Sequence, residues 1–383
     1  MEEWKEYKIG NLCSKICSGG TPSSKHSEYY DGDIPWLNTK EINFNRIYST
    51  EKCISEEGLN NSSAKWIEEN SVIVAMYGAT AGKTAITKIP LTTNQACCNL
   101  TINPSIADYR FVYYYLCYKF VELASLANGG AQQNLNAQII KDFDILLPSL
   151  QKQKKIANIL SSLDDKIEVN RRINDNLEQQ AQALFKSWFV DFEPFKDGEF
   201  VESELGMIPK GWRVGTLSEL LDIKYGKDHK KLKDGNVPVY GSGGIMRKVE
   251  KPLYSGESVL IPRKGTLNNV IYVNEDFWTV DTMFYSIPKV NNVALFTYLF
   301  LLGKDLASMN AGSAVPSMTT EILNNMHIVI PGFDALESFN SICSSIFRII
   351  KHNEQESSRL SSLRDTLLPR LMSGELKIND ISV

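Results

Sequence analysis

Residues 148–194 read PSLQKQKKIANILSSLDDKIEVNRRINDNLEQQAQALFKSWFVDFEP, and this stretch decides the architecture of the chain. Steps that alternate between three and four residues meet apolar side chains at eight of ten positions. This spacing predicts a narrow coiled-coil seam on one long helix, which needs a partner helix. About 40 residues at ~1.5 Å each would form a rod of ~60 Å. The ten positions are Ile156, Leu160, Leu163, Ile167, Asn170, Asn174, Leu177, Ala181, Leu184 and Trp188.

A second seam with the same spacing begins near Leu336, and Ser357 and Arg364 interrupt it. Both seams carry asparagine near the middle, at Asn170 and Asn174 in the first and Asn353 in the second. Polar seam residues cost stability but fix register and partner choice, so we predict one antiparallel intramolecular pair. Two unrelated amphipathic helices, each packed on its own core, are the alternative. The remaining positions are Leu336, Phe339, Cys343, Ile346, Ile350, Leu360, Leu367 and Leu371.

The bulk composition is that of a globular protein with more than one domain. The chain has 383 residues, 43% of them hydrophobic and 22% charged, and no apolar run approaches the ~20 residues of a membrane helix. Its first residues, MEEWKEYKIG, lack the apolar stretch of a signal peptide, so we expect a cytoplasmic protein. Seven scattered cysteines and four isolated histidines indicate neither a disulfide framework nor a metal site. The net charge of −4 argues mildly against nucleic acid as a partner.

The second half of the chain repeats the order of the first. SVLIPRKG at 258–265 parallels SVIVAMYG at 71–78, and the segment that ends at Pro331 parallels the one that ends at Pro148. Each copy then leads into its long helix, an order that indicates an internal duplication rather than chance similarity of two α/β domains. We therefore predict two mixed α/β domains, 1–147 and 196–331, separated by long antiparallel coiled-coil helices at 148–195 and 332–383.

Several motifs, taken together in this order, resemble the DNA-specificity subunit of type I restriction-modification systems. They are GGTPSSK and DIPWL near the start, VPVYGSGGI at 237–245, LPSLQKQKKIANILSSLDDKIEVN and LFKSWFVDFEPF in the first helix, and LRDTLLPRLMSGEL near the end. The resemblance covers the whole chain. It implies two target-recognition domains that each read half of a bipartite DNA site, and two helices that act as a spacer. It also implies docked methyltransferase subunits that hold S-adenosylmethionine, and separate motor subunits that use ATP and Mg.

Catalytic motifs are missing from the sequence. GATAGKT at 78–84 has three residues between its glycines where a phosphate-binding loop has four, so we interpret it as a surface loop that presents Tyr77, Lys83 and Thr84. No HExxH, GxSxG or methyltransferase motif is found. We expect a non-catalytic subunit without a cofactor or metal of its own. The alternatives are a single-chain methyltransferase or endonuclease, a subunit of a modification-only system, and a coiled-coil assembly protein that does not bind DNA.

The candidate DNA-binding residues of the second domain lie mostly in a basic segment, 224–251, with eight lysines and arginines against three acidic residues. Within it, 240–244 is predicted to be a flexible polar loop that approaches phosphates or base edges. Arg263 and Lys264 follow the repeated strand. A lysine-rich loop that is merely solvated is the alternative. The candidates are Lys227, Lys230, Lys231, Tyr240, Ser242, Arg247, Arg263 and Lys264.

The first domain is less basic, and its candidates are mainly amides and hydroxyls. Asparagine and glutamine suit adenine, although each of these residues could instead be a turn or cap residue. Trp36, beside Pro35, is predicted to be a core residue. The candidates are Thr21, Ser23, Lys25, Asn38, Thr39, Lys40, Tyr77, Lys83, Asn94, Gln95, Gln132 and Gln133.

An aromatic cluster ends the first long helix, with more rings than a two-helix seam can cover. We predict that it docks the methyltransferase subunit, as the resemblance implies, while packing onto the chain's own domains is the alternative. Two C-terminal leucines would form the symmetric site. The docking candidates are Phe185, Trp188, Phe189, Phe192, Leu367 and Leu368.

Overall fold

The computed structural model describes residues 4–127, 134–309 and 317–376, and it divides into two compact units. The first unit comprises Met1–Val169 with Glu356–Val383, and the second comprises Asn170–Gln355. Each unit contains a mixed α/β domain and part of both long helices. Among the helices of the described residues, none has the length and apolar character needed to cross a bilayer.

The strands of the first domain form a five-stranded sheet in the order β2-β9-β6-β7-β4, a three-stranded sheet β5-β3-β8 and the pair β1-β10. The strands are β1 Lys5–Lys8, β2 Cys13–Ser18, β3 Ile34–Leu37, β4 Asn45–Ile47, β5 Lys52–Ile54, β6 Val72–Ala75, β7 Thr84–Thr87, β8 Thr92–Thr93, β9 Cys97–Ile102 and β10 Asp144–Leu147. The helices that precede the first seam are α1 Glu56–Asn60, α2 Tyr109–Tyr118, α3 Phe120–Ser125 and α4 Ala137–Asp142.

The second domain has a six-stranded sheet in the order β14-β19-β17-β18-β15-β16, with the pairs β11-β12 and β13-β20. Its strands are β11 Phe200–Ser203, β12 Gly206–Pro209, β13 Arg213–Thr216, β14 Leu221–Tyr225, β15 Asp234–Gly241, β16 Gly244–Val249, β17 Tyr254–Pro262, β18 Ile271–Thr279, β19 Met283–Pro288 and β20 His327–Ile330. The long helices are α5 Leu150–Phe189 and α9 Phe333–Met372, and the shorter ones are α6 Leu217–Leu220, α7 Val293–Leu302 and α8 Thr320–Asn324.

The duplication extends to the register of the sheets, which confirms the predicted repeat. Ile73 pairs with Ala85 on one side and Asn99 on the other. Its counterpart Leu260 pairs in the same way with Ile271 and Tyr285. In both domains a strand close to the start (β1 or β13) pairs with the strand that directly precedes a long helix (β10 or β20).

Both domain cores lie between the sheet and one short helix. α2 buries Phe111 through Leu116 against β6 and β9, and α7 is buried over nearly its whole length from Val293 to Leu301. A helix that is apolar on all sides requires apolar neighbours on all sides. In the second unit these come from the sheet and from the long helices, including Ala181 and Phe189 of α5 and Phe339 of α9.

The long helices run antiparallel in each unit, as predicted. In the second unit the Asn353 side chain donates to Asn174 Oδ1 (2.8 Å), and the Asn174 side chain donates to the Ile350 carbonyl (3.2 Å). The Asn170 amide donates to the Asn353 carbonyl (3.4 Å). The asparagines therefore bond across the seam, and a shift of one turn would break these bonds.

In the first unit a polar network forms where the second predicted seam is interrupted. Arg364, which interrupts the second seam, donates to Asp164 at 2.7 Å, and the Tyr114 hydroxyl donates to the other oxygen of Asp164 at 2.5 Å. The side chains of Arg364 and Asp164 are only 25% and 12% exposed. Burial acts to lower the pKa of Arg364, but the hydrogen bond and charge of Asp164, together with Asp365, outweigh it and raise that pKa. The network ties both helices to α2.

Two local predictions were wrong. The predicted loop at 240–244 is the turn of a β-hairpin, because β15 and β16 pair up to Gly241 and Gly244. Thr84 is fully buried in β7 rather than presented at the surface. The helices begin and end inside the predicted limits 148–195 and 332–383. The four domain limits themselves remain predictions.

Candidate nucleic-acid interface

Several turns of the first domain meet at one end of its sheets. Main-chain hydrogen bonds join them: Gly20 N to Thr93 O (2.8 Å), Asn94 N to Leu37 O (3.0 Å), Met76 N to Ala96 O (2.8 Å) and Leu135 N to Met76 O (2.8 Å). A β-bridge pairs Tyr77 with Asn134. We call this region the first turn edge and define it by Gly20, Thr21, Asn38, Tyr77, Asn94, Gln95 and Asn134.

The second domain builds the same arrangement. Its bonds are Lys227 N to Thr279 O (2.9 Å), Val280 N to Tyr240 O (3.1 Å), Arg263 N to Thr282 O (2.9 Å) and Met318 N to Arg263 O (2.9 Å). A β-bridge pairs Lys264 with Ser317. The second turn edge is defined by Gly226, Lys227, Ser242, Arg263, Lys264, Asp281 and Ser317. The two edges share a backbone frame while their side chains differ.

A buried tryptophan anchors each edge. Trp36 Nε1 donates to the Gly20 carbonyl at 2.9 Å, and Trp278 Nε1 donates to the Lys227 carbonyl at 2.8 Å. The residue before each bonded carbonyl is a glycine, Gly19 or Gly226. A Cβ at either position would lie 2.0 Å from a main-chain oxygen, so no other residue fits there. Trp36 is a core residue, as predicted. Its role in fixing the loop was missed, although the glycines that directly follow β2 and β14 were a visible signal.

The polar candidates of the first domain divide into exposed residues and residues that stabilise turns. Thr21, Ser23, Lys25 and Gln95 are exposed, and the Thr21 hydroxyl donates to Gln95 Oε1. Asn94 is only 8% exposed, and its Oδ1 accepts from the Ala96 N–H at 3.1 Å. The Asn94 side chain is therefore used inside the turn and is not presented to a ligand.

The next candidates, 38–40, form a capped turn. Asn38 accepts from the Lys40 N–H at 3.3 Å and from the Thr39 hydroxyl at 3.4 Å, so Asn38 has the capping role named as its alternative. Lys40 forms an ion pair with Glu51, and this hydrogen bond raises the pKa of Lys40. The charge of Lys40 is thus already paired.

Tyr77 directly precedes the 78–84 loop, and Lys83 lies within it. Tyr77 is 43% exposed on the first turn edge, where its ring can stack on a base and its hydroxyl can donate a hydrogen bond. Lys83 donates to Asn43 Oδ1 at 2.7 Å. Gln132 and Gln133 lie outside the described residues.

Exposed lysines lie on the second turn edge and in the turn that follows it in the chain. Lys227 and Lys264 belong to the edge, and Lys230 and Lys231 come three and four residues after Lys227. None of these four lysines forms an ion pair within the part of the chain that the structure describes. Two basic residues of the segment are neutralised, because Lys224 pairs with Asp222 at 2.8 Å and Arg247 pairs with Asp234 at 2.7 Å. The unpaired lysines give this edge the positive potential that attracts phosphates.

Three predicted residues of the second domain have structural roles. Tyr240 is 8% exposed, and its hydroxyl donates to Glu275 at 2.7 Å. Burial raises the pKa of Tyr240 well above its usual value. Arg247 donates to the Leu232 carbonyl at 3.0 Å as well as to Asp234. Arg263 lies over the exposed Tyr225 ring at 5.4 Å and donates to the Asp281 carbonyl at 3.3 Å.

The docking candidates on α5 pack mainly onto the second unit. Phe189 is 6% exposed and lies 4.7 Å from Phe339 between ring centroids, and Trp188 lies 5.9 Å from the same ring. Leu367 and Leu368 are half-buried against the core of the first unit. Phe185, Phe189 and Phe192 nevertheless form one wall of an open groove of about 770 Å³.

The described ranges were compared with two requirements of catalysis, a metal-binding group and a reactive thiol. Within 4–127, 134–309 and 317–376, His, Cys, Asp and Glu side chains form no group that could hold a metal ion. Burial raises the pKa of the Cys13, Cys98 and Cys117 thiols to about 12, so these thiols stay protonated and are poor nucleophiles at neutral pH.

Comparison with known proteins identifies the family. The sequence pattern described as "Type I restriction modification DNA specificity domain" matches residues 1–179 and 209–360, one match for each half. The chain belongs to this family. As a type I specificity subunit it serves in DNA recognition, and it is not the catalytic subunit.

Similar proteins span the full chain. The MjaIX specificity subunit of Methanocaldococcus jannaschii is 30% identical over 99% of this chain and 95% of its own length. The HindI specificity subunit of Haemophilus influenzae is 23% identical over 98% of this chain and all of its own. The crystal structure of a type I S subunit from M. genitalium has a similar fold, with a TM-score of 0.59, 19% identity and 96% of both chains covered.

Proposed function

We propose that this specificity subunit recognises a bipartite DNA site, with one half-site read at each turn edge. The observation that carries the proposal is the repeated backbone frame with different side chains. The first edge offers hydroxyls, an amide and the Tyr77 ring, whereas the second offers unpaired lysines. Side chains of these kinds contact base edges and phosphates respectively. Because the two edges share a backbone arrangement but expose different side chains, they are suited to read two different half-sites.

The residues proposed to contact DNA are those that the edges expose. Lysines of the second edge would contact phosphates and fix register, while Tyr77, Gln95 and Thr21 would contact bases. Asn94 and Tyr240 support the edges from inside, as their burial and bonds indicate. We expect the site of action to be the cytoplasm, where a bacterial or archaeal chromosome lies.

Neutralising the lysine cluster is expected to weaken DNA binding and flatten its salt dependence. The triple variant Lys227→Gln, Lys230→Gln, Lys231→Gln removes three charges that no ion pair occupies in the described structure. The slope of log affinity against log salt should fall by about one for each lysine that contacts a phosphate. Titration of a fluorescent duplex at several salt concentrations, with the assembled methyltransferase complex, measures this slope.

The control removes three other lysines from the same unit, in Lys196→Gln, Lys210→Gln, Lys289→Gln. These side chains are held by Glu193, Glu199 and the Ser218 carbonyl, outside the second turn edge. The control should keep the parental slope of log affinity against log salt. It removes the same charge from the protein, but the lysines it replaces are not proposed to contact phosphates. Equal slopes for the cluster variant and the control would remove the cluster from the DNA interface.

We further propose that the groove on the second unit takes part in docking the methyltransferase subunit. Its walls are apolar, with Phe185, Phe189 and Phe192 from the α5 region and Phe300 from α7, and Lys186 and Lys304 also line it. An apolar centre with a charged rim is the usual anatomy of a protein interface. S-adenosylmethionine, ATP and Mg would be held by the methyltransferase and motor subunits.

A charge in the groove is expected to impair assembly. Val190 and Leu205 line it and are 56% and 48% exposed, so Val190→Glu and Leu205→Glu should fold normally. A buried carboxylate in an apolar interface should weaken methyltransferase binding at least about tenfold, measured by titration of the purified subunits. Val121→Glu, at a 77% exposed site of the first unit, is the matched control. Unchanged affinity in both groove variants would exclude the groove.

A further inference from the structure

Two apolar side chains project from the tip of the β15–β16 hairpin. Ile245 is 59% exposed and Met246 is 62% exposed, directly after the turn. Neighbouring residues on the hairpin are basic, with Arg247 bound to Asp234 and Lys248 exposed. Single exposed apolar residues are ordinary on protein surfaces, and here two stand side by side next to the exposed Lys248.

The hairpin tip is held against the second turn edge. Asn269 Nδ2 donates to the Ser242 carbonyl at 2.7 Å, and a side chain at Gly265 would lie 2.8 Å from the Ser242 hydroxyl. Gly244, with φ of +105°, makes the turn that directs Ile245 and Met246 outward. The tip therefore has a fixed position next to Lys264, which precedes Gly265.

The two domains diverge at this point of their shared frame. Leu37 and Tyr240 occupy equivalent positions, because their carbonyls accept from Asn94 and Val280 respectively. After Leu37 the first domain makes the short turn capped by Asn38, whereas after Tyr240 the second domain forms the hairpin tip. An element that differs between two otherwise matching edges is suited to distinguish their half-sites.

We infer that the β15–β16 hairpin enters the major groove and that Ile245 and Met246 contact thymine C5-methyl groups of the second half-site. The inference rests on the proposed DNA-binding function. A two-stranded ribbon fits the major groove, where the thymine methyl is the apolar group that a base presents. Lys248 on the same strand would lie near a flanking phosphate, and the cationic surroundings favour nucleic acid over an apolar protein partner.

The test uses duplexes in which deoxyuridine replaces thymine one position at a time, which removes only the methyl group. The motif is first read from DNA methylated by the assembled complex. Each contacted methyl in the second half-site should contribute about fourfold in affinity. The Ile245→Ala/Met246→Ala double variant should bind thymine and uracil duplexes equally, with an affinity near that of the parent for uracil.

Controls separate this inference from the proposed function. Uracil in the first half-site should affect the parent and the double variant alike, and Val290→Ala, at a 43% exposed site elsewhere in the domain, should keep the parental discrimination. Equal parental affinity for thymine and uracil, or a second half-site without thymine, would overturn the inference. Loss of all sequence-selective binding by the parent complex would instead overturn the proposed function.

Discussion

Replacing Asp164 with alanine is expected to destabilise the first unit by about 3–5 kcal/mol, the usual cost of removing one partner from a buried ion pair. Asp164 is 12% exposed and accepts from Arg364 at 2.7 Å and from the Tyr114 hydroxyl at 2.5 Å. Without it the guanidinium of Arg364 would remain in the seam with less compensation, since its other carboxylate contact, Asp365, is 62% exposed. The loss is the difference in the free energy of unfolding of the first unit between parent and variant, measured by chemical denaturation.

The matched control is Asp144→Ala, which breaks an exposed pair with Lys8 in the same unit. Those side chains are 51% and 48% exposed, so the cost should stay below about 1 kcal/mol. The double variant Asp164→Ala/Arg364→Met should recover most of the lost stability, because it removes the uncompensated charge. A loss no larger than that of the control would show that the network contributes little.

The second unit replaces this polar network with rings. Tyr298 on α7 and Phe347 on α9 stand at the positions that match Tyr114 and Asp164 in the repeat, with ring centroids 5.6 Å apart. The same backbone arrangement is therefore compatible with an ion-pair network in one unit and aromatic packing in the other. Ala181, which matches Arg364, is fully buried there.

The helix pair was predictable because a seam is a periodic property of the sequence. Apolar residues at alternating steps identify both helices, and Asn170 and Asn353 point to a fixed register. The role of Arg364 was not predictable, since its partner Asp164 lies 200 positions away and off the predicted seam. A charged residue in a coiled-coil seam can be assigned to a buried ion pair only once the structure shows its partner.

The site was predictable in place but not in detail. Glycine and polar residues at 240–244 indicate a loop by composition, yet pairing between β15 and β16 makes a hairpin and buries Tyr240. Asn94 and Thr84 are buried by a turn and by strand pairing respectively. Strand pairing involves residues distant in the sequence, so the residues next to Thr84 do not reveal its burial. The exposed Ile245 and Met246 were missed because apolar residues are ordinarily expected in cores.

Lengthening both long helices is expected to change the spacing between the half-sites. Four helix-forming residues inserted after Val169, and four after Gln355, add about one turn, or ~5.4 Å, to each helix where the two compact units divide it. The asparagine bonds of the seam then stay together within the second unit. A base pair advances ~3.4 Å, so the spacer should lengthen by one or two base pairs. The half-sites should be unaffected, because the insertions lie far in sequence from both turn edges.

The most direct test sequences the methylated positions in DNA modified by complexes that contain the parent chain or the lengthened chain. For the parent we predict two short motifs separated by an unread spacer. For the lengthened chain we predict the same two motifs with the spacer increased by one or two base pairs. A continuous motif, or an unchanged spacer in the lengthened complex, would contradict the account of two domains that read half-sites at a separation set by their helices.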